Sequence, residues 1–103
     1  MAVDSLVSGG DIVSGAHVRR SLLFSSVRID TGSSIDDSVV LPEVQIGRNV
    51  VLRKVIVDKR CVIRDGERIG VDATVDRRRF YVSAGGVTLV TPESLGQHVH
   101  VTR

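Results

Sequence analysis

Seven basic side chains lie close together in the C-terminal half of the sequence. Arginine offers paired donors that match phosphate oxygens, so cations that converge can hold a phosphorylated small molecule. They can equally form a solvated charged rim that keeps an exposed sheet edge from aggregating, and the sequence favours neither reading. The seven residues are Lys59, Arg60, Arg64, Arg68, Arg77, Arg78 and Arg79. Within this group, Lys59, Arg60, Arg77 and Arg78 are our candidates for an anion-binding site.

Groups that usually carry catalysis or bind metals are sparse. His98 and His100 alternate near the C-terminus, whereas a zinc site needs ligands that face one another across a fold. His17 is the sole candidate base for acyl transfer, and its position in the repeat described below is that of an ordinary outward residue. Cys61 has no second cysteine for a disulfide and reads as a small core residue. We therefore expect no catalytic residue, metal or cofactor in this chain.

The placement of all these groups depends on a repeat of 17 residues in four copies, at 5–21, 22–38, 39–55 and 56–72. Three apolar columns recur within the copies, and they are six, six and five residues apart. A helix would scatter such positions around its axis, whereas three short strands per turn would return one side chain inward on each face. The columns are Leu6, Leu23, Val40 and Val57; Ile12, Ile29, Ile46 and Ile63; and Val18, Ile35, Leu52 and Ile69. This pattern predicts an all-β parallel β-helix of about four 17-residue coils.

A fourth column marks a corner of each coil. It contains Gly15, Gly32, Asn49 and Gly66. Glycine, and to a lesser extent asparagine, enters the left-handed region of backbone space at low cost. The column therefore predicts a left-handed corner that repeats in every coil.

A further apolar stripe should lie on the outside of one face. Residues on either side of an inward strand position must point outward, and here they are apolar. A contiguous exposed patch of this kind is unusual on a monomer, so we expect it to pack against another subunit or domain, or to be covered by the C-terminal tail. The stripe consists of Leu22, Phe24, Val39, Leu41 and Ile56.

The repeat ends at Asp72, and we divide the chain into a β-helix over 1–75 and a capping segment over 76–103. Two short apolar runs, 80–83 and 87–91, flank Gly85–Gly86 and predict a hairpin-like tail that covers the last coil. Pro92 should end the second strand, and the remainder to Arg103 is expected to be loose.

Composition narrows the class of function. The formal net charge is only +2 and aromatic residues make up 3% of the chain, so a base-stacking nucleic-acid surface is disfavoured. The N-terminal sequence lacks the features of a signal peptide, and no run is long enough to span a membrane. With a single cysteine, a reducing cytoplasmic setting is the simplest expectation.

Several segments of the sequence, taken together, resemble a known protein family. The segments 5–10, 41–48, 58–63 and 69–70, followed by 79–83 and 86–91, occur in order and at family spacing. They resemble the C-terminal domain of bacterial glucose-1-phosphate adenylyltransferase (ADP-glucose pyrophosphorylase). The resemblance runs from about Ser5 to Thr91. Pro92 and Gly96 depart from it, because some family members have a basic residue there.

The resemblance implies a left-handed helix and a role that the residues alone do not reveal. The family makes ADP-glucose from ATP and glucose 1-phosphate for glycogen biosynthesis, with magnesium bound in a separate N-terminal catalytic domain. The C-terminal domain is expected to support a homo-oligomer and to help bind phosphorylated effectors, with Lys59 at an effector-contacting position. We therefore expect a regulatory and oligomerisation domain that works with its own catalytic domain or an equivalent chain. A stand-alone partner-binding β-helix and a small acyltransferase using His17 remain as alternatives.

Overall fold

The computed structural model describes residues 2–3, 5–7 and 9–97. It contains many very short strands and one α-helix. In chain order the elements are β1 Ala2–Val3, β2 Leu6–Val7, β3 Ile12–Val13, β4 His17–Arg19, β5 Leu22–Leu23, β6 Arg28–Ile29, β7 Ser34–Asp36, β8 Val39–Val40, β9 Gln45–Ile46, β10 Val51–Arg53, β11 Val55–Val57, β12 Val62–Ile63, β13 Arg68–Ile69, α1 Ala73–Arg79, β14 Tyr81–Val82, β15 Thr88–Val90 and a 3-10 helix Glu93–Leu95.

Successive strands are distributed over three sheets that form the faces of a triangular solenoid. Sheet A contains β1, β4, β7, β10 and β13; sheet B contains β2, β5, β8, β11, β15 and β14; sheet C contains β3, β6, β9 and β12. Each strand pairs in parallel with the equivalent strand of the next coil, and among the described strands only β14 is antiparallel. The predicted all-β parallel β-helix of about four coils is therefore confirmed.

The interior consists of stacked columns of branched apolar side chains. Ile29, Ile46 and Ile63 lie one above another on sheet C and are almost completely buried. A second column on sheet A is Val18, Ile35, Leu52 and Ile69, and a third on sheet B is Leu23, Val40 and Val57. Because like residues repeat at the strand spacing, the core is one continuous apolar cluster along the solenoid axis.

The predicted register of the first coil is wrong by one residue. Val13, and not Ile12, pairs with Ile29, while Val7, and not Leu6, pairs with Leu23. Ile12 and Leu6 therefore point outward and are 53% and 64% exposed. The reason is a shorter corner: residues 14–16 join β3 to β4, whereas residues 30–33 join β6 to β7. On sheets B and C, paired residues of the first and second coils are consequently 16 residues apart in sequence instead of 17. A shift of one residue exchanges the two faces of a strand.

The predicted corner column is confirmed, since Gly15, Gly32, Asn49 and Gly66 all have positive φ. Two more corners also use left-handed backbone, although most of their residues are not glycine. One contains Gly10, Ser26, Glu43 and Arg60, and the other contains Arg20, Asp37 and Lys54. The stacked coils hold these conformations through backbone hydrogen bonds between corners, such as Glu43 N to Ser25 O at 3.1 Å and Lys54 N to Asp36 O at 3.1 Å.

The tail closes the last coil with a hairpin, as predicted, and with a helix that was not predicted. β15 extends sheet B by pairing with β11, and β14 pairs with β15 in the antiparallel sense. The helix α1 spans the predicted boundary between residues 75 and 76, and Asp72 caps it by accepting from Thr74 N at 3.0 Å and Val75 N at 3.4 Å. Phe80 and Val90 then bury their side chains in the core.

Residues 92–97 are ordered, contrary to the expectation of a loose end after Pro92. Gln97 follows the 3-10 helix, and its side-chain amide forms hydrogen bonds with the backbone of β12 as a neighbouring strand would. Its Oε1 accepts from Val62 N at 3.0 Å and its Nε2 donates to Val62 O at 2.6 Å. These bonds satisfy backbone groups that the last coil would otherwise leave unpaired at the edge of sheet C.

Candidate functional site

Lys59 and Arg60 lie at the corner between sheets B and C in the last coil. Lys59 N donates to the Asp58 carboxylate at 2.8 Å, which fixes the start of the corner. Arg60 has positive φ, and its Nε is 3.9 Å from Glu43 Oε1 of the preceding coil. Both side chains are exposed. Among the described residues, Lys59 has no side-chain ion pair, and Arg60 has only this long one with Glu43. The corner thus presents two exposed cations.

Arg77 and Arg78 are exposed on α1, whose last turn also includes Arg79. Arg79 is bound more firmly: it donates two hydrogen bonds to the Glu67 carboxylate, at 3.0 and 2.7 Å, and its guanidinium lies 4.7 Å from the ring centre of Phe80. The hydrogen bonds from Arg79 hold the pKa of Glu67 below its usual value and raise the pKa of Arg79. This pair anchors α1 against the last coil.

The four predicted anion-binding residues do not form a single cluster in this chain. Arg79 bonds to Glu67, directly before β13 of sheet A, so α1 sits at a different corner from Lys59 and Arg60. The four side chains line none of the clefts described below. A shared ligand would therefore need further groups from outside this chain, and the effector role of Lys59, Arg60, Arg77 and Arg78 stays a prediction.

The apolar stripe faces outward along sheet B, where the sequence placed it. Leu22, Val39 and Ile56 stack in one column, and Leu22 and Phe24 are 41% and 42% exposed. Val39 and Leu41 are half-buried. The described part of the tail, through Gln97, does not cover the column, and β15 adds Leu89 to it as a further exposed member. The stripe consequently runs the length of the face, but its use as an interface stays a prediction.

The first coil presents a second apolar surface, which was not predicted from the sequence. Leu6, Val7 and Ile12 are exposed there, and β2 and β3 form the outermost strands of sheets B and C in the described part of the chain. Val7 occupies an interior column, yet no coil lies above it among the described residues. The signal was present in the sequence as adjacent apolar pairs, Leu6–Val7 and Ile12–Val13, each of which has an apolar residue on both strand faces.

His17 is exposed on sheet A, in register with Ser34, and no catalytic partner approaches it among the residues described. Cys61 is buried as predicted, and burial, followed by the charges of Asp58 and Glu93, raises the pKa of its thiol to about 12. Such a thiol is inert at neutral pH. His98 and His100 lie outside the described residues.

The outer faces of sheets A and C are polar and concave. A cleft of about 490 Å³ on sheet C is lined by Arg28, Asp30, Arg64 and Asp65, among others. A cleft of about 310 Å³ on sheet A includes Arg19, Asp36, Arg53 and Arg68. Arg19 and Arg53 were not predicted as site residues, although their separation of two repeats, 34 residues, was visible in the sequence.

No helix in the described part of the chain is long and apolar enough to cross a membrane.

Comparison with known proteins agrees with this architecture. Residues 1–90 match the family model described as GlmU-like, C-terminal hexapeptide. The chain is 58% identical over 102 residues to glucose-1-phosphate adenylyltransferase of Nitrosospira multiformis and 57% identical over 102 residues to that of Methylobacillus flagellatus, covering 99% of this chain and 24% of each relative. It is 62% identical over 91 residues to the enzyme of Albidiferax ferrireducens, covering 88% of this chain and 22% of that relative.

The chain thus spans about a quarter of the length of the curated relatives it matches. The matching part is the one that forms hexapeptide coils, in agreement with the stacked strands and repeated corners seen here. From both the fold and these matches, the chain belongs to the GlmU-like C-terminal hexapeptide family and corresponds to the C-terminal hexapeptide domain of glucose-1-phosphate adenylyltransferases.

Proposed function

We propose that this chain is the regulatory and oligomerisation domain of a glucose-1-phosphate adenylyltransferase, which forms ADP-glucose from ATP and glucose 1-phosphate in glycogen biosynthesis. The observation that carries the proposal is the match to 99% of this chain but only 24% of a relative bearing that name. The domain has no catalytic activity alone, because the chemistry and its magnesium belong to the catalytic part of the enzyme. A cytoplasmic location suits its buried free thiol.

The exposed apolar side chains of the first coil support a partner of the catalytic type. Leu6 and Ile12 are more than half exposed, and β2 and β3 have no neighbouring strand on their outer side within the described part of the chain. Exposed apolar surface next to an open sheet edge favours packing by another segment. We assign this end of the solenoid to contact with the catalytic domain, on the same chain or on an equivalent one.

The sheet B stripe supports self-association, and its disruption is our first prediction. Replacing Leu22 and Leu41 together by aspartate should reduce the assembly to the 11.1 kDa of one chain, because two carboxylates would be desolvated in the interface. Light scattering coupled to size-exclusion chromatography measures the mass. Val62→Asp is the matched control, since Val62 is equally exposed but lies on sheet C. An unchanged mass for the double variant would remove the stripe from the interface.

Regulation is tested by ligand-induced stabilisation. We expect fructose 1,6-bisphosphate or AMP to raise the melting temperature of the assembled protein, since a ligand at one hundred times its dissociation constant stabilises by about 2.7 kcal/mol. Lys59→Ala should abolish the rise, because the corner would lose its unpaired cation. Arg48→Ala, an exposed arginine at another corner, should retain it. A shift that persists in Lys59→Ala, or that neither ligand produces, contradicts the effector role.

A further inference from the structure

The cleft on the outer face of sheet A contains three arginines whose side chains have no ionic partner among the described residues. Arg19, Asp36 and Arg53 are directly adjacent on β4, β7 and β10. Arg68 stands beside Val51 on the neighbouring strand. Adjacent coils are ~4.8 Å apart, so the backbones of Arg19 and Arg53 are roughly 10 Å apart, and long guanidinium side chains from both can reach one ligand between them.

Asp36 lies between Arg19 and Arg53, yet it forms an ion pair within 4.0 Å with neither in the described structure. In the next column, an arginine and an aspartate at the equivalent positions do form an ion pair. There Arg20 donates to both oxygens of Asp37, at 2.8 and 3.2 Å. The Arg19, Arg53 and Arg68 guanidiniums therefore keep their donors available for an outside anion.

The charge of this region is unusual for the molecule. The sheet A cleft continues around the corner into one of about 370 Å³ that adds Arg20, Asp37 and Lys54. Together the two clefts have five cations and two carboxylates, a formal excess of three positive charges, whereas the whole chain carries +2. Positive charge is thus concentrated here and not spread evenly over the surface.

The sheet C cleft provides an internal comparison. It is larger, about 490 Å³, but its two arginines face two aspartates, and Arg28 is 3.4 Å from Asp30. A concave sheet surface in this fold is therefore not by itself an anion site. Of these two clefts, only the one on sheet A has more arginines than carboxylates, three against one.

We propose that the sheet A cleft binds a compact anion with two or more phosphate groups. Arginine forks match phosphate oxygens in pairs, and two arginines separated by two coils suit two linked phosphates better than one. The volume of about 310 Å³ fits a small molecule, and the lining contains no Phe, Tyr or Trp, its one ring being the imidazole of His17. The site lies on a different face from Lys59 and is independent of the effector role proposed above.

Inorganic pyrophosphate is the probe, with orthophosphate as the single-phosphate comparison, both at constant ionic strength because exposed charges are screened by salt. We expect saturable pyrophosphate binding by phosphorus NMR or calorimetry, and weaker binding of orthophosphate. Arg53→Ala should weaken pyrophosphate binding about tenfold, the value of one charge-assisted contact. Arg53→Lys should lie between wild type and Arg53→Ala, because it retains the charge without the fork.

The matched control is Arg28→Ala, which removes an equally outward arginine from sheet C and should leave the affinity unchanged. Arg19→Ala is a second variant in the cleft, and it should repeat the loss seen with Arg53→Ala. Equal effects of the sheet A and sheet C substitutions would show non-specific charge attraction and overturn the proposal. So would an absence of pyrophosphate binding by the folded wild-type chain.

Discussion

Replacing Gly70 by alanine should destabilise the solenoid by about 3 kcal/mol, from the cost of a left-handed non-glycine residue and of a steric overlap together. Gly70 has φ +84°, and a Cβ there would overlap the carbonyl oxygen of Arg53 in the coil above. That oxygen belongs to backbone and cannot rotate away. The coils would have to separate locally where β13 pairs with β10.

The displacement would also disturb a buried carboxylate. Gly70 N donates to Asp76 Oδ2 at 2.9 Å, and the other oxygen of this 2% exposed side chain accepts no hydrogen bond in the described structure. Loss of the Gly70 bond would leave Asp76 buried without a donor, which adds to the cost.

Urea unfolding followed by circular dichroism measures the change in free energy. Gly66→Ala is the matched control, because Gly66 has φ +78° but open space where a Cβ would stand. It should cost about 1 kcal/mol, the conformational part alone. If both variants lose the same stability, the close approach of the Arg53 carbonyl has no energetic consequence.

Truncating Ile46 to alanine should cost about 3 kcal/mol, within the range measured for buried isoleucine and leucine. Ile46 is 1% exposed and lies between Ile29 and Ile63 in the central column of sheet C. Each coil contacts only its neighbours, so a cavity in a middle coil weakens two interfaces at once. The surrounding side chains are held by backbone stacking and cannot collapse fully into the space.

Ile12→Ala is the informative control, because the repeat alone puts Ile12 and Ile46 in one column. The structure points Ile12 outward, 53% exposed, and we expect a loss below about 0.5 kcal/mol. Urea midpoints of the two variants decide between the registers. Similar losses for Ile12→Ala and Ile46→Ala would restore the 17-residue register in the first coil.

The position of Ile12 shows that the sequence repeat alone does not determine the register of the first coil. Ile12 and Val13 are both apolar, as are Leu6 and Val7, so either register gives an unbroken column of apolar residues. What decides between them is the corner formed by residues 14–16, which is one residue shorter than its counterpart in the next coil. Hydrogen bonding between corners depends on this length, and hydrophobic pattern does not report it.

In the tail, the strand was predicted from the sequence and the helix was not. The apolar run 87–91 predicted a strand, and β15 does extend sheet B. Helix α1 was missed because Asp76–Arg79 read as a charged segment without an apolar face. Its stability comes from the Asp72 cap, the Arg79–Glu67 pair and burial of Phe80, and the last two of these are contacts with the solenoid.

The sequence by itself determined the three-sided β-helix, its three inward columns beyond the first coil, the glycine corner and the outward apolar stripe. These features repeat with the chain, and side-chain period and backbone freedom act over a few residues, so a pattern is enough to specify them. Only the tertiary structure decided the register of the first coil and the separation of Lys59 from Arg77. Those depend on which coil lies beside which, and that is fixed by stacking over the whole solenoid.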